Sequence, residues 1–185
     1  MRQVVLLLLC ALCVAVVFTP ATWAATPPAD TLKVDYFDSA NTGNPSTLRL
    51  TNPGTSGGSL YAAIYVFDPD QEMSECCECL LTPDGLRTLS VDTDLTSNPL
   101  TGPPLLTTGL IKLVSTTGTS ASKLTPVAAL RAWATHVQPI SLATTETASQ
   151  DATFSSAEQS RLQSECSSIQ RDGSGHGICT CGTGD

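Results

Sequence analysis

Short apolar runs separated by turn residues recur along most of the chain, and this pattern predicts β-strands. Asn-Pro, Pro-Gly and Asp-Gly pairs stand between the runs, as is typical of turns. We expect strands at Leu32 to Phe37, Leu48 to Thr51, Leu60 to Phe67, Leu86 to Asp92, Gly109 to Ser115, Leu130 to Gln138 and Ile140 to Thr147. About seven strands predict a mainly β fold, an antiparallel β-sandwich, with a barrel as the competing architecture.

A single helix is predicted near the C-terminus, over about residues 156–171. Ser155 begins a Ser-x-x-Glu capping box, which is typical of a helix N-terminus. Leu162, Cys166 and Ile169 then recur at i, i+4 and i+7 and form a narrow apolar stripe. Because this stripe is only three residues wide, we expect a disulfide from Cys166 to hold the helix on the sandwich.

The N-terminus has the features of a secretory signal peptide. Arg2 supplies the positive charge, and Val4 to Phe18 is an apolar run of 15 residues, shorter than a membrane span of about 20. Thr22 and Ala24 suit a cleavage site. We expect a signal peptide over residues 1–24, with an uncleaved anchor as the alternative, and one secreted domain over residues 25–185. The mature protein would be extracellular, at the cell surface or periplasmic.

The charge balance argues against a nucleic-acid partner. The formal net charge is −8, and removal of Arg2 with the signal peptide would leave −9, which repels phosphate backbones. Thr (26) and Ser (19) are abundant, and β-branched Thr favours strands over helix interiors. No second long apolar stretch follows the signal peptide, so we expect no membrane association after cleavage.

Six cysteines remain after signal cleavage, and their even number in an exported chain predicts disulfide bonds. They are Cys76, Cys77, Cys79, Cys166, Cys179 and Cys181. Cysteines two positions apart in extended chain point to the same face. Of the 15 pairings that six thiols allow, we expect one in which the pairs Cys77/Cys79 and Cys179/Cys181 join the tail to the cluster, while Cys166 pairs with Cys76. Metal binding and redox activity are the rival interpretations.

Carboxylates surround the first cysteine cluster, and we expect an acidic loop there, after the strand Leu60 to Phe67. Asp68, Asp70 and Glu72 are weak candidates for a metal site. The spacing excludes an EF-hand, since the sixth position is Met73 rather than Gly and the twelfth is not Glu. A solvated acidic loop is the simpler interpretation, and no cofactor is predicted.

Three aromatic residues are candidates for contact with a ligand or another subunit. Tyr61 and Tyr65 share one face of the strand Leu60 to Phe67, although a strand that is apolar on both faces is usually packed on both. Trp133, between Arg131 and Thr135, is the best candidate for a sugar platform or an interface anchor. Burial in the core is the alternative for all three.

The catalytic inventory is thin, and we expect no enzyme. His136 and His176 are the only histidines. His136 lies on a predicted strand, and His176 lies in a glycine-rich segment that is poorly suited to hold a general base. The chain has no serine elbow, metalloprotease motif or phosphate loop.

Several segments together resemble a group of uncharacterised exported proteins of acidobacteria-like soil bacteria. The segments are Glu75-Cys76-Cys77-Glu78-Cys79, Leu130-Arg131-Ala132-Trp133-Ala134-Thr135-His136 and Gly175-His176-Gly177-Ile178-Cys179-Thr180-Cys181. The resemblance implies export and a bacterial source, and it implies no activity or functional residue.

These observations predict a non-catalytic module of the cell surface or extracellular matrix. We expect it to act as a structural or interaction module that associates with itself or with other cell-surface proteins. A module that binds glycan or metal is the alternative.

Overall fold

A computed structural model describes residues 31–38, 46–98, 106–137, 141, 143–171 and 178–182. The elements are β1 (Leu32–Asp38), β2 (Thr47–Thr51), β3 (Leu60–Phe67), β4 (Met73–Leu81), β5 (Leu86–Ser90), a short π-helix (Val91–Leu95), β6 (Thr108–Thr116), β7 (Arg131–Val137), β8 (Thr144–Ala148), β9 (Gln150–Ala152) and α1 (Ser156–Arg171). The predicted signal peptide, residues 1–24, and the segment around His176 lie outside the described residues.

The strands form two antiparallel sheets, which confirms the predicted sandwich. Sheet A has the strand order β4-β3-β6-β1-β9, and sheet B has the order β5-β2-β7-β8. The chain passes from sheet B to sheet A at Ser149, between β8 and β9. All seven strands predicted from the pattern are present, with small differences at their ends. The strand predicted from Ile140, for example, begins at Thr144.

The main core lies between the two sheets. Residues two positions apart along β2, β3, β4 and β6 point into it, as the two-residue period of a strand requires. Its members are mostly aliphatic and fully buried, and they include Leu48, Leu50, Ile64, Val66, Leu89, Leu113 and Leu130. Burial of a leucine or isoleucine side chain contributes about 1.5–3 kcal/mol, so this core supplies most of the driving force for folding.

A second core lies between sheet A and α1. Ala63, Tyr65 and Phe67 of β3 point into it, while the intervening residues of the same strand point into the main core. The predicted stripe of α1 is confirmed, because Leu162, Cys166 and Ile169 are all buried there. The molecule therefore has three layers, with sheet A in the middle.

The capping box at the start of α1 is half formed. Ser155 Oγ accepts a hydrogen bond of 3.1 Å from the Glu158 backbone N–H, as predicted. The Glu158 side chain does not return to the Ser155 backbone. Its carboxylate instead contacts Lys112 on β6 at 2.5 Å and Arg161 on α1 at 2.9 Å. The helix start is thereby tied to sheet A.

Three disulfides join the C-terminal part of the chain to β4. They are Cys76–Cys166, Cys77–Cys179 and Cys79–Cys181. Cys76 points to the α1 side of sheet A, whereas Cys77 and Cys79 point into the main core. The disulfide prediction and the expected pairing of Cys76 with Cys166 are confirmed, and one strand anchors the helix on one face and the tail on the other.

The tail, residues 178–182, closes the gap between the edges of the two sheets. Thr180 N–H donates a hydrogen bond of 2.8 Å to the Asp94 carbonyl, just after β5 of sheet B. Arg87 on β5 donates to the Leu80 carbonyl of β4 at 2.9 Å and to the Cys181 carbonyl at 3.2 Å. The disulfides hold the tail to sheet A, and these bonds hold it to sheet B.

The prediction of a loop around the first cysteine cluster is wrong from Met73 onward. This segment is β4, which pairs with β3 through a bulge at Val66 and Phe67. The error has a physical cause. Glu75 is buried and the cysteines count as apolar once they are oxidised, so the segment is more hydrophobic than its letters suggest.

Candidate functional site

Sheet B has an open outer face, whereas α1 covers the part of the outer face of sheet A that β3 and β4 form. The residues of this open face are alternate residues of four strands, and they point away from the main core. They are Leu86, Thr88 and Ser90 of β5, Thr47, Arg49 and Thr51 of β2, Arg131, Trp133 and Thr135 of β7, and Thr144, Glu146 and Ala148 of β8. All twelve are exposed or half-buried. We call this surface the open face.

Trp133 lies at the centre of the open face. The strand register places Arg49 of β2 opposite it on one side and Ala148 of β8 on the other. The indole is half-buried, so part of the ring is packed on the sheet and part of it reaches solvent. Ala148 has only a methyl group, so the side chain next to the indole on the side of β8 is small.

An ion pair crosses the open face beside Trp133. Arg49 Nη1 lies 2.8 Å from Glu146 Oε1, and the two side chains are 43% and 41% exposed. Their strands are separated by β7, so the pair passes over it between Trp133 and Thr135. An exposed pair of this kind adds little to stability, about 0–1 kcal/mol. Its main effect is to hold the guanidinium in a fixed place.

Hydroxyl groups occupy much of the remaining open face. Thr47 and Thr135 are directly opposite each other, and their Oγ1 atoms are hydrogen-bonded at 3.0 Å. Thr51, Thr88 and Thr144 are further members. Thr51 Oγ1 donates a hydrogen bond of 2.9 Å to the Gly85 carbonyl, and Ser90 Oγ accepts one of 3.3 Å from the Thr93 N–H. A hydroxyl with one partner can still make a further hydrogen bond, so the face offers polar contacts at little desolvation cost.

Arg131 is the exposed cation of the open face that has no carboxylate partner among the described residues. Its guanidinium donates one hydrogen bond, of 3.3 Å, to the carbonyl of its neighbour Leu130. It precedes Trp133 by two positions and therefore lies on the same side of β7. Trp133 thus has Arg131 before it along the strand and Arg49 beside it.

A second group of polar residues lies at the side of the sandwich where β1, β7 and β8 meet. Asp35 Oδ2 accepts a hydrogen bond of 2.8 Å from Ser149 Oγ, and Asp35 Oδ1 lies 3.8 Å from His136 Nε2. The His136 ring stacks on Tyr36 with centroids 4.3 Å apart. Burial raises the pKa of Asp35, and the hydrogen bond from Ser149, the charge of His136 and the Tyr36 N–H offset only part of this rise.

This group does not have the geometry of a catalytic triad. A triad needs one imidazole nitrogen on the acid and the other on the nucleophile. Here His136 Nε2 faces both Asp35 Oδ1 and Thr147 Oγ1, the latter at 3.2 Å, while buried Nδ1 has no partner among the described residues. The imidazole therefore cannot relay a proton from a hydroxyl to the carboxylate, and a structural role in joining the sheets fits these contacts better.

A buried carboxyl group, Glu75, lies beside the disulfides. Its Oε1 accepts a hydrogen bond of 2.8 Å from the Asn98 N–H, and its Oε2 is buried without a partner within the described part of the chain. Burial raises the pKa of Glu75 to about 8, and the Asn98 hydrogen bond offsets part of this. Asn98 also donates to the Ile178 carbonyl at 3.4 Å, so Glu75 stabilises the start of the tail.

The acidic candidates Asp68, Asp70 and Glu72 lie in the turn between β3 and β4. Asp68 Oδ1 accepts a hydrogen bond of 2.8 Å from the Glu72 N–H, and the turn is closed by a backbone bond from the Asp68 N–H to the Glu72 carbonyl. Asp70 and Glu72 are exposed. Across the described residues, no three His, Cys, Asp or Glu side chains are grouped so that they could hold a metal ion.

Of the two candidate tyrosines, Tyr65 is fully buried under α1. Its hydroxyl donates a hydrogen bond of 2.6 Å to the Ala121 carbonyl, and burial raises the pKa of the phenol. Tyr61, at the other end of β3, is half-buried. The structure therefore separates the three aromatic candidates, with Trp133 on sheet B and both tyrosines on sheet A.

A pocket of about 400 Å³ lies beside Phe67 at the edge of α1. Lys112 Nζ and Arg161 Cζ lie 5.2 Å and 5.1 Å from the centre of the Phe67 ring. Both cations form ion pairs with Glu158. Burial raises the pKa of Glu158, but the hydrogen bonds from Arg161 and Lys112 lower it by more, so its pKa lies below the usual value. Glu165 is a second partner of Arg161, at 3.0 Å. Because two carboxylates neutralise these two cations, the pocket is less suited to an anionic ligand than the open face.

No protein-family model, curated protein or solved structure matches this chain. In the described part of the chain, no helix combines the length and the apolar character that a membrane span needs.

The sequence indicated Trp133 but not its neighbours. Arg49 and Glu146 are 97 positions apart, and only the strand order brings them together. Asp35 and Glu75 were missed for a different reason, because a single carboxylate in an apolar run carries no sign of its burial. Arg131 could have been found from its two-residue spacing to Trp133, which puts both on one face of a strand.

Proposed function

We propose that this protein is an exported, non-catalytic interaction module that contacts its partner through the open face of sheet B. One observation carries the proposal. Trp133 lies half-buried at the centre of this face, with Arg49 and Arg131 around it. Tryptophan and arginine are the residue types most enriched among those that dominate binding energy, and they cluster near the centre of interfaces.

The layered architecture supports this choice of surface. The helix and the tail, each held by disulfides, cover the α1 side of sheet A and the gap between the sheets. Neither covers the open face. A sheet that supports both a core and an exposed polar face can change its outward residues without loss of the core, which suits a binding surface.

Three disulfides also support a location in an oxidising compartment, where such bonds persist. A signal peptide over residues 1–24 and secretion of the chain from Ala25 belong to the same proposal.

The test uses the oxidised chain that begins at Ala25. The full sequence has two tryptophans, Trp23 and Trp133, so Trp133 is the single tryptophan of the exported chain and its fluorescence reports directly on the open face. The fluorescence is measured against increasing concentrations of the protein itself, with sedimentation velocity in parallel, and against a panel of soluble polysaccharides, with affinity electrophoresis in parallel so that a variant without Trp133 can be measured as well.

Trp133→Ala and Tyr61→Ala form a matched pair of variants. Tyr61 is half-buried like Trp133 but lies on β3 of sheet A, so it controls for the loss of a half-buried aromatic ring away from the open face. We expect one of the two kinds of partner to bind the parent chain, and we expect Trp133→Ala to weaken that binding by roughly tenfold or more. Absence of both self-association and glycan binding, or equal loss in Tyr61→Ala, would overturn the proposal.

A further inference from the structure

On the basis of the proposed function, we propose that the open face binds an acidic polysaccharide, with a sugar ring on Trp133 and a carboxylate of the polymer beside Arg131. The inference names the chemical class of the partner. It depends on three properties of the open face, which are its charge, its hydroxyl groups and the small side chain of Ala148 next to Trp133.

The charge of the open face is opposite to that of the whole protein. Arg49, Arg131 and Glu146 give it a net charge of about +1 on a chain whose formal net charge is −8. Elsewhere in the described residues, Lys33, Lys112 and Arg161 form ion pairs with carboxylates, and Arg87 is bound to two backbone carbonyls. Among the cations whose side chains the structure describes, the remaining exposed ones are Arg131 and Lys123.

Arg131 therefore has the capacity to take an anionic group from a partner. A guanidinium is planar and matches a carboxylate with two parallel hydrogen bonds. Its one recorded bond is to the Leu130 carbonyl, which leaves most of its five N–H donors for a ligand. Lys123 lies on the other side of the molecule, near α1, since its neighbour Ser122 accepts a hydrogen bond from Gln163.

The hydroxyl groups of the open face favour a sugar over a protein. Threonine and serine are under-represented among the residues that dominate protein–protein binding, and this face has five threonines and one serine around a single aromatic ring. It lacks the apolar centre of a typical protein interface. Hydroxyl-lined surfaces suit a ligand that is itself covered with hydroxyl groups.

The surroundings of Trp133 leave one approach to its ring. Arg49, held by Glu146, forms the boundary on the side of β2, whereas Ala148 provides only a methyl group on the side of β8. Strand β8 is the edge of sheet B, and all five of its residues are exposed. A polymer can therefore lie across β8 and reach the indole without a deep pocket.

The net charge of the protein predicts how the complex responds to salt. The carboxylates elsewhere on the surface repel a polyanion, so attraction is local to the open face and acts over about one Debye length, ~10 Å at 0.1 M salt. We expect weak binding that decreases as salt is added, because the contact with Arg131 is exposed to solvent.

The experiment compares two forms of one polymer, polygalacturonate and its methyl ester. They share a sugar backbone, but the ester has no carboxylate charge. Binding to the exported chain is followed by Trp133 fluorescence and by affinity electrophoresis. Electrophoresis also measures binding by the Trp133→Ala variant, which has no tryptophan. We expect polygalacturonate to bind at least about threefold more tightly than the ester, as a single exposed charge contact implies.

Arg131→Gln and Lys123→Gln are the matched variants, since each removes one exposed positive charge and neither side chain packs in a core. We expect Arg131→Gln to weaken binding of polygalacturonate by about three- to tenfold and to leave the ester unaffected, while Lys123→Gln leaves both unaffected. Arg131→Lys should restore part of the affinity. Equal thermal unfolding midpoints of the variants exclude loss of fold.

The outcomes separate this inference from the proposed function. Equal binding of acid and ester, or equal effects of Arg131→Gln and Lys123→Gln, would overturn the acidic ligand while Trp133→Ala still supports a binding face. Self-association through Trp133 without any glycan binding would do the same. Absence of every kind of binding would overturn both.

Discussion

The two sheets of this sandwich have opposite kinds of outer face. On sheet A, the outward residues of β3 are Ala63, Tyr65 and Phe67, and α1 buries them. On sheet B, the outward residues of β2 are Thr47, Arg49 and Thr51, and they remain in contact with solvent. Both strands have aliphatic inward residues, so the main core alone does not determine what the outer faces contain.

This difference shows that the two sheets contribute differently to the stability of the fold. Sheet A has to satisfy two cores at once, and a change on either of its faces alters packing. Sheet B packs on one face only, so its outer residues are free to serve recognition. The predictions that follow test this division, beginning with the change that should affect stability most.

The largest effect is expected from removal of the Cys76–Cys166 disulfide, which fastens α1 to sheet A. The bond closes a loop of 90 residues. We expect the Cys76→Ser, Cys166→Ser double variant to lose about 4 kcal/mol of unfolding free energy. Because the Cys77–Cys179 bond remains, the additional loop released is about 15 residues, which corresponds to about 3 kcal/mol, and two buried serine hydroxyls add on the order of 1 kcal/mol. Urea denaturation gives the value. A loss below about 1 kcal/mol would show that packing alone holds the helix.

A smaller effect is expected from Leu162→Ala, which leaves the disulfide intact and opens a cavity under α1. Leu162 is fully buried, so the expected loss of unfolding free energy is about 3 kcal/mol. Trp133→Ala removes a larger side chain from the open face, but we expect it to cost only about 1 kcal/mol because the ring is half-buried. If the tryptophan variant were the less stable one, the division between the sheets would be wrong.

The next effect concerns Glu75, whose carboxyl is buried at the end of β4. Its pKa of about 8 lies above the unfolded value, so the folded state retains a proton that the unfolded state releases. The unfolding free energy should therefore fall as the pH rises from about 4.5 to about 8. Glu75→Gln keeps the shape without the charge, and we expect it to be more stable than the parent at pH 8 by on the order of 2 kcal/mol.

The control for this prediction is the difference between the two pH profiles. Asp35, whose pKa is raised, and Glu158, whose pKa is lowered, titrate in both proteins and cancel in the difference. Denaturation midpoints at half-unit pH steps provide the data. Parallel profiles would mean that Glu75 is not desolvated.

The smallest effect is expected on the open face, away from the ion pair. Thr88 is exposed on β5, and its side chain makes no hydrogen bond to another residue that the structure describes. We expect Thr88→Ala to change the unfolding free energy by no more than about 0.5 kcal/mol, as surface substitutions usually do. Differential scanning calorimetry checks this, and a loss above 1 kcal/mol would indicate that the outer face also stabilises the fold.

The features that could be predicted from the sequence are those with a local pattern. The strands of sheet B and the helix were predictable, because Leu48 and Leu50 alternate with polar residues and Leu162 recurs with Cys166 at helical spacing. The pairing of Cys76 with Cys166 was the one that remained after Cys77/Cys79 and Cys179/Cys181 were matched by their two-residue spacing. In each case, local periodicity carried the information.

The rest depended on contacts between distant parts of the chain. Strand β4 was missed because Glu75 and the cysteines look polar in the sequence. The strand becomes apolar only when Glu75 is buried and the cysteines are oxidised. The polar group at Asp35 was missed because Ser149 lies 114 positions away. The site was half predictable, since Trp133 stands out by residue type whereas the position of Arg49 opposite it requires the strand register.

The arrangement of the disulfides has a consequence for the order of events during synthesis. Each bond joins β4 to a cysteine that follows it by 90 or 102 residues. A chain that emerges N-terminus first therefore presents three reduced thiols within four residues long before any native partner exists. Correct oxidation has to wait until Cys166, Cys179 and Cys181 have emerged, so the cysteines of β4 lack their native partners while β5 to β9 are still being synthesised.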